Sequence, residues 1–288
     1  MKKLLKLVFA LAGILGFMSA ANYLTFHKAG GAPAQTKNRR LFYDWRHGKI
    51  SYTAAGRGRP ILLLHSLFPG SSSAEWRRAA ALLSKNHRVY SFDFLGCGFS
   101  DKPDISYSAY LYASLANDFI RDVIGQPAVV AGSAHSAPLA AAACQLRPEL
   151  CEKLILVSPL ESEGPVGSPT AFGTMLGRLI ALPVAGTFLY SLAVSRRALG
   201  AFLNNNLAAK ANVRDDLLAD FYQAAHEGGP DSRFSYGAFL SGFCGADCRQ
   251  RLSKIQKPVL IINKKAGLFP HIDRPEEFCR TAGKFIDN

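Results

Sequence analysis

Short unbroken apolar runs alternate with longer amphipathic stretches along this chain. The runs at 50–54, 60–65, 88–93, 128–132, 154–158 and 258–262 have strand length. The middle ones, ILLLH, VVAG and LILVS, are apolar at successive rather than alternate positions. Strands covered on both faces of a parallel sheet read this way. Helical patterns at 74–84, 107–123 and 138–146 fall between them. Strands alternating with helices predict an α/β fold with a mostly parallel sheet and flanking helices. Residues 159–257 interrupt the alternation with mainly helical sequence, at 172–182, 187–203 and 214–226. A long helical insert between two late strands reads as a cap over the sheet edge. Ligands bind beyond the carboxyl ends of such strands, so the cap is expected to shape a pocket.

The first 26 residues follow another rule. Lys2, Lys3 and Lys6 precede an apolar stretch from Leu7 to about Phe26. Roughly 20 residues suffice to span a bilayer as a helix. Ser19, Ala20 and Ala21 also resemble a signal-peptidase site. The apolar run continues past that point through Tyr23, Leu24 and Phe26, which favours an uncleaved single-pass anchor over a secreted domain. Lys28, Lys37, Arg39 and Arg40 on the other flank leave the topology open, with the domain placed outside the cytoplasm as one option. The expected organisation is an anchor at 1–26 and a linker at 27–40. A core's first part at 41–160, a helical cap at 161–250 and the core's end at 251–288 follow.

Composition changes this picture little. The 288 residues are 49% hydrophobic and 19% charged, which excludes a disordered chain. The net charge of +13 raises nucleic acid as a partner. The excess is scattered, however, and the residues at 161–250 are nearly balanced. No zinc-ligand spacing or RNA-binding signature accompanies it. A solvated face or a preference for anionic lipid is the better reading, so no nucleic-acid partner is expected. Of six cysteines, Cys244 and Cys248 are close enough in sequence to pair. Cys144 and Cys151 read as buried thiols on an Ala-rich helix.

Three segments carry a family likeness. PILLLHSLFPGSSSAEW is a strand running into a loop at His65-Ser66. RVYSFDFLGCGFSDKP holds the pattern D-x-x-G-x-G-x-S-D-x-P on Asp93, Gly96, Gly98, Ser100, Asp101 and Pro103. AVVAGSAHSAPLAAAA is a strand–turn–helix with small residues at the turn. Together they resemble the α/β-hydrolase superfamily over residues 41–160, and in part at the carboxyl end. The second segment builds a turn rather than performing chemistry.

In that family a G-x-S-x-G elbow exposes a nucleophilic serine on a strained turn. Aligned here, Gly132 and Ser136 are the small flanks and the nucleophile position is Ala134, whose methyl cannot attack a carbonyl. The family's His segment reads AGLFPHIDRPEEF, with Leu268 at the position of the base and His271 at that of a frequent second histidine. About 25 residues that would carry the acid and the terminal strand are missing, so part of the last strands is expected to be absent. A displaced set of Ser136, His271 and Glu161 can be written instead, with Glu163 beside Glu161 in the cap entry. The backbone amides of Leu67 and His135 are the expected oxyanion donors.

The resemblance therefore implies a hydrolase ancestry with an impaired triad and a capped pocket for a small-molecule ligand or ester-like substrate. It implies no cofactor and no metal. An active hydrolase of small esters using the displaced set is the alternative. A damaged or deliberately inactivated gene is another.

Overall fold

The computed structural model describes residues 1–30, 40–159, 169–208, 214–263 and 267–288. Seven strands form one sheet: β1 (Leu41–Trp45), β2 (Gly48–Ala55), β3 (Pro60–Leu64), β4 (Arg88–Phe92), β5 (Ala128–Ser133), β6 (Cys151–Val157) and β7 (Val259–Ile262). Their order is β1-β2-β4-β3-β5-β6-β7. Only the pairings β1–β2 and β2–β4 are antiparallel.

The helices are α1 (Lys2–Gly30), α2 (Arg77–Leu83), α3 (Ala109–Phe119), α4 (Ala137–Leu146), α5 (Ala171–Ala181), α6 (Ala185–Ala193), α7 (Arg196–Asn206), α8 (Asp215–His226), α9 (Ser232–Leu240), α10 (Cys248–Leu252), α11 (Pro270–Asp273) and α12 (Pro275–Asp287). Every residue of β3 is buried, and alternate side chains serve opposite layers. Leu62 and Leu64 join the core under α3 and α4, whereas Ile61 and Leu63 join the core under α2 and α12. Burial on both faces is what the unbroken apolar run requires.

The six expected strands are present, and β1 is an addition. It is a short, mostly exposed edge strand of an antiparallel hairpin, and its apolar residues Leu41 and Phe42 face solvent. The expected helix at 187–203 is two helices. Ser195 sits in an extended conformation, and its hydroxyl accepts the amide of Ala198 as the N-cap of α7. Cys151 opens β6 rather than lying on a helix. Cys244 and Cys248 are not joined by a disulfide. Among the described residues no strand follows β7, so the sheet ends there, as the shortened carboxyl segment predicted. Helices α5–α10 lie between β6 and β7, and α5–α9 form the helical insert.

Candidate functional site

The turn after β5 is the centre of the site. Ala134 lies at its tip with φ +48°, a left-handed conformation rare for a residue with a side chain. The turn holds because its flanks are tight. A Cβ on Gly132 would lie 2.5 Å from the carbonyl oxygen of Ser136. The Ser136 hydroxyl accepts the amide of Ser133 at 2.9 Å and approaches the carbonyls of Leu64 at 2.8 Å and Ser133 at 3.0 Å. Ser136 thus staples the elbow to the end of β3, and its side chain is fully buried.

His271 lies elsewhere in this corner. Its Nε2–H donates to Glu75 Oε1 at 3.1 Å, and its ring stacks on Trp76 at 3.9 Å between centroids. The structure therefore does not bring Ser136 and His271 together. The third member of the displaced set, Glu161, lies with Glu163 outside the described residues.

Glu75 and Ser133 are what sequence reasoning missed. The Glu75 carboxylate is fully buried between the loop after β3, the elbow and the α11 loop. It accepts the Ser133 hydroxyl and His271 on Oε1. On Oε2 it accepts the Ser66 hydroxyl at 2.7 Å and the Ser66 amide at 3.0 Å. Burial alone would push this carboxyl up. The hydrogen bond and charge of His271, with the two serine hydroxyls, outweigh it and hold the group below its ordinary value. The available signal was an acid beside Trp76 in an otherwise small and polar loop. It was absorbed into the helix expected at 74–84.

The expected nucleophile and base positions meet in hydrocarbon. Ala134 and Leu268 belong to one buried apolar cluster with Leu199, Leu203, Phe221 and Phe269. The amide of Leu268 donates to the carbonyl of Asn206 at 2.7 Å, which ties this loop to the end of α7. Phe68 closes the side of the cluster, 4.4 Å from Phe202 between ring centroids.

The expected oxyanion residues flank the same corner. His135 follows the elbow, with its ring edge-on to Phe68 at 4.5 Å and Phe239 at 4.8 Å. Burial lowers its pKa to about 4, partly offset by the charge of Glu75, and its Nδ1 is buried without a partner. Leu67 and Phe68 line a cleft under the insert of only about 20 Å³, room for about one water. A larger groove of about 350 Å³ lies against β7, floored by Leu260, Ile262 and Phe278 and rimmed by Arg274 and Glu277. Among the described residues, the space beneath the insert is thus largely taken up by side chains.

The other motif residues are structural. His65 accepts the amide of Phe94 on Nε2 at 2.9 Å, so its Nδ1–H faces the carbonyl of Ser66 at 2.6 Å. Burial lowers its pKa, consistent with that neutral ring. Asp93 accepts the amides of Ser73 and Phe99 and a guanidinium nitrogen of Arg40. A Cβ on Gly98, at φ +51°, would meet the same carboxylate at 2.5 Å.

A sheet of this order, an elbow with a left-handed residue at its tip and a helical insert after β6 define the α/β-hydrolase class. The profile described as "Alpha/beta hydrolase family" matches residues 61–281, and the chain belongs to that family. An uncharacterized protein of Mycobacterium tuberculosis (strain H37Rv) is 31% identical over 139 residues, 48% of this chain and 38% of that protein. A 2-hydroxymuconate semialdehyde hydrolase of Pseudomonas sp. (strain CF600) is 29% identical over 174 residues, 59% of this chain and 56% of that enzyme. The chain thus spans between about two-fifths and just over half the length of these relatives. The crystal structure of a serine hydrolase involved in carbazole degradation superposes with a TM-score of 0.69. It is 19% identical and covers 86% of this chain and 98% of that one.

Proposed function

We propose that this is a membrane-anchored member of the α/β-hydrolase family that has lost its ancestral covalent chemistry and acts by binding. One observation carries the reading: Ala134 and Leu268 occupy the nucleophile and base positions inside one dry apolar cluster. A serine nucleophile needs a general base within hydrogen-bond reach. Here the nearby His271 is committed to Glu75, and the hydroxyls of Ser66, Ser133 and Ser136 are sealed from solvent. The insert serves as a cap whose underside fills the former reaction space. The groove against β7, at about 350 Å³, has the size of a small-molecule site. Small oxo acids related to the substrate named for the Pseudomonas relative are the first ligands to screen.

Anchoring rests on α1. It is the one helix among the described residues that is by itself long and apolar enough to cross a membrane, with a mean hydropathy of 2.0 over its most apolar 18 residues. Its packing against the cap through Phe17, Asn22 and Phe26 favours retention over cleavage.

Labelling the full chain in detergent with a fluorophosphonate, followed by peptide mapping, tests the loss of chemistry. The expected result is no labelled serine on protein shown to be folded. Modification at Ser136 or Ser133 would overturn it and restore the ester hydrolase with displaced residues.

A further inference from the structure

Helices α5 and α6 are apolar on the outside. Phe172 is 70% exposed and Met175 61%, and Leu179, Leu182 and Leu192 are exposed beside them. Between 171 and 194 the only charged residue is Arg178. The opposite face of α5 is fixed to the protein. A Cβ on Gly173 would lie 2.7 Å from the carbonyl oxygen of Leu240, and one on Gly177 would lie 2.5 Å from that of Gly237. Positions 172, 175 and 179 therefore point away from α9 by helical periodicity. A contiguous apolar face of this kind is unusual on a soluble surface and marks a partner.

The position of α1 says which partner. The hydrocarbon core of a bilayer is about 30 Å thick, or about 20 helical residues. Measured from Leu7, just inside the lysines at 2, 3 and 6, that length ends near Phe26. The cap crosses α1 inside this interval. Phe188 of α6 meets Phe17, with ring centroids 6.3 Å apart. Asn22 donates to the carbonyl of Val184 at 3.0 Å. Tyr190 stacks on Phe26. By this ruler Phe17 lies near the bilayer midplane, and Asn22 lies about 6 Å inside the near boundary.

We infer that the edge of the cap formed by α5 and α6 is immersed in the near leaflet of the bilayer that α1 spans. The inference rests on the reading of α1 as an uncleaved anchor. The lipid leaflet is the occupant because the apolar face is continuous with the apolar surface of α1. Its rim is also cationic: Arg178 lies on α5, and Arg196 and Arg197 are exposed directly after α6. Long basic side chains hold their stems against apolar surface and their charge among anionic headgroups. Joined across their 105° bend, α5 and α6 also meet the length and hydropathy of a membrane segment. The bend and the packing of α5 on α9 make them an in-plane wedge rather than a second span.

The test uses the full chain in vesicles of phosphatidylcholine and phosphatidylglycerol whose phosphatidylcholine carries acyl-chain bromine. Three single variants add a tryptophan: Phe9→Trp in the span, Phe172→Trp on the cap and Phe42→Trp on β1. Buried Trp45 and Trp76 supply a constant background. The expected result is loss of the added emission for Phe9→Trp and Phe172→Trp but not for Phe42→Trp. If Phe9→Trp is quenched while Phe172→Trp is as bright as Phe42→Trp, the wedge is wrong and the anchor stands. A cap face covered by a second copy of the chain would give that same outcome. If Phe9→Trp is itself unquenched, the anchor reading fails and takes the wedge with it.

Discussion

The elbow corner and the outer edge of the insert are both apolar, and each is apolar where the fold would usually be polar. At the corner, Ala134 and Leu268, the positions expected for a nucleophile and a base, lie under hydrocarbon from the insert. At the outer edge, Phe172, Met175 and Leu192 stand where a soluble protein would carry charge. The corner has closed its apolar surface within the molecule; the edge has left it open beside α1. Loss of polar groups thus has opposite meanings in the two places. In the corner it adds core and, on the proposed reading, removes chemistry. At the edge it adds a surface that only another apolar phase can cover.

The comparison breaks most readily at Glu75, the buried carboxylate at the centre of the corner's polar network. Its carboxylate pairs with His271 and accepts two serine hydroxyls and an amide in a fully buried site. Glu75→Ala strands all four donors. Breaking a buried pair by removing one partner costs about 3–5 kcal/mol. Urea unfolding of the variant is expected to show a loss of that size. A loss below about 1 kcal/mol would mean that water enters the corner, which is then not dry.

His135 gives the next effect, through pH. Its folded pKa of about 4 lies below the free value of about 6.5. Between these values the unfolded chain binds the proton and the native ring does not. Its contribution is therefore complete above about pH 6.5 and is lost as pH falls towards 4, on the order of 3 kcal/mol in all. Glu75, whose carboxyl lies below the ordinary range, adds a separate loss at lower pH as its folded-state value is crossed. Denaturation midpoints across the acid range should be flatter between about pH 6.5 and 4 for His135→Leu than for the native chain. Unchanged steepness would show that His135 is hydrated.

How much of this could be read in advance follows from the range of each interaction. The sheet was legible because two-sided burial writes unbroken apolar runs into β3, β5 and β6. The elbow register was legible because Gly132 must be small where Ser136 crowds it. Strand β1 was not read because its run of Leu41, Phe42 and Tyr43 is short and lies directly after the linker expected at 27–40. The break at Ser195 was hidden because α6 and α7 are both helical and only a cap separates them. The Glu75 network was hidden for a different reason. His271 lies 196 residues further along the chain, and no local spacing records a bond of that range.

Restoring the missing groups sharpens the contrast between closed and open apolar surface. The double change Ala134→Ser with Leu268→His rebuilds two family positions in name. The new imidazole enters the cluster of Leu203, Phe221 and Phe269 with no polar neighbour among them. An unpartnered polar group in such surroundings costs about 2 kcal/mol. The variant is expected to unfold at lower urea and still to resist a fluorophosphonate. Labelling at position 134 would show instead that the corner opens enough to work.

The smallest effect concerns the turn alone, and its sign is informative. At φ +48° the Ala134 side chain costs about 1–2 kcal/mol, which glycine does not incur. Removing its buried methyl gives back about 0.8 kcal/mol. Ala134→Gly is therefore expected to be neutral or to stabilise by up to about 1 kcal/mol. Ala140, also fully buried but in the middle of α4, is the control. There glycine loses both the methyl and about 1 kcal/mol of helix propensity, so Ala140→Gly should destabilise by roughly 2 kcal/mol. Thermal or urea unfolding of the two variants, run side by side, reads the difference. Opposite responses would mean that the elbow stays strained although its tip carries an alanine. Equal losses would mean that Ala134 is no more than another packed alanine, with the turn relaxed once its chemistry had gone.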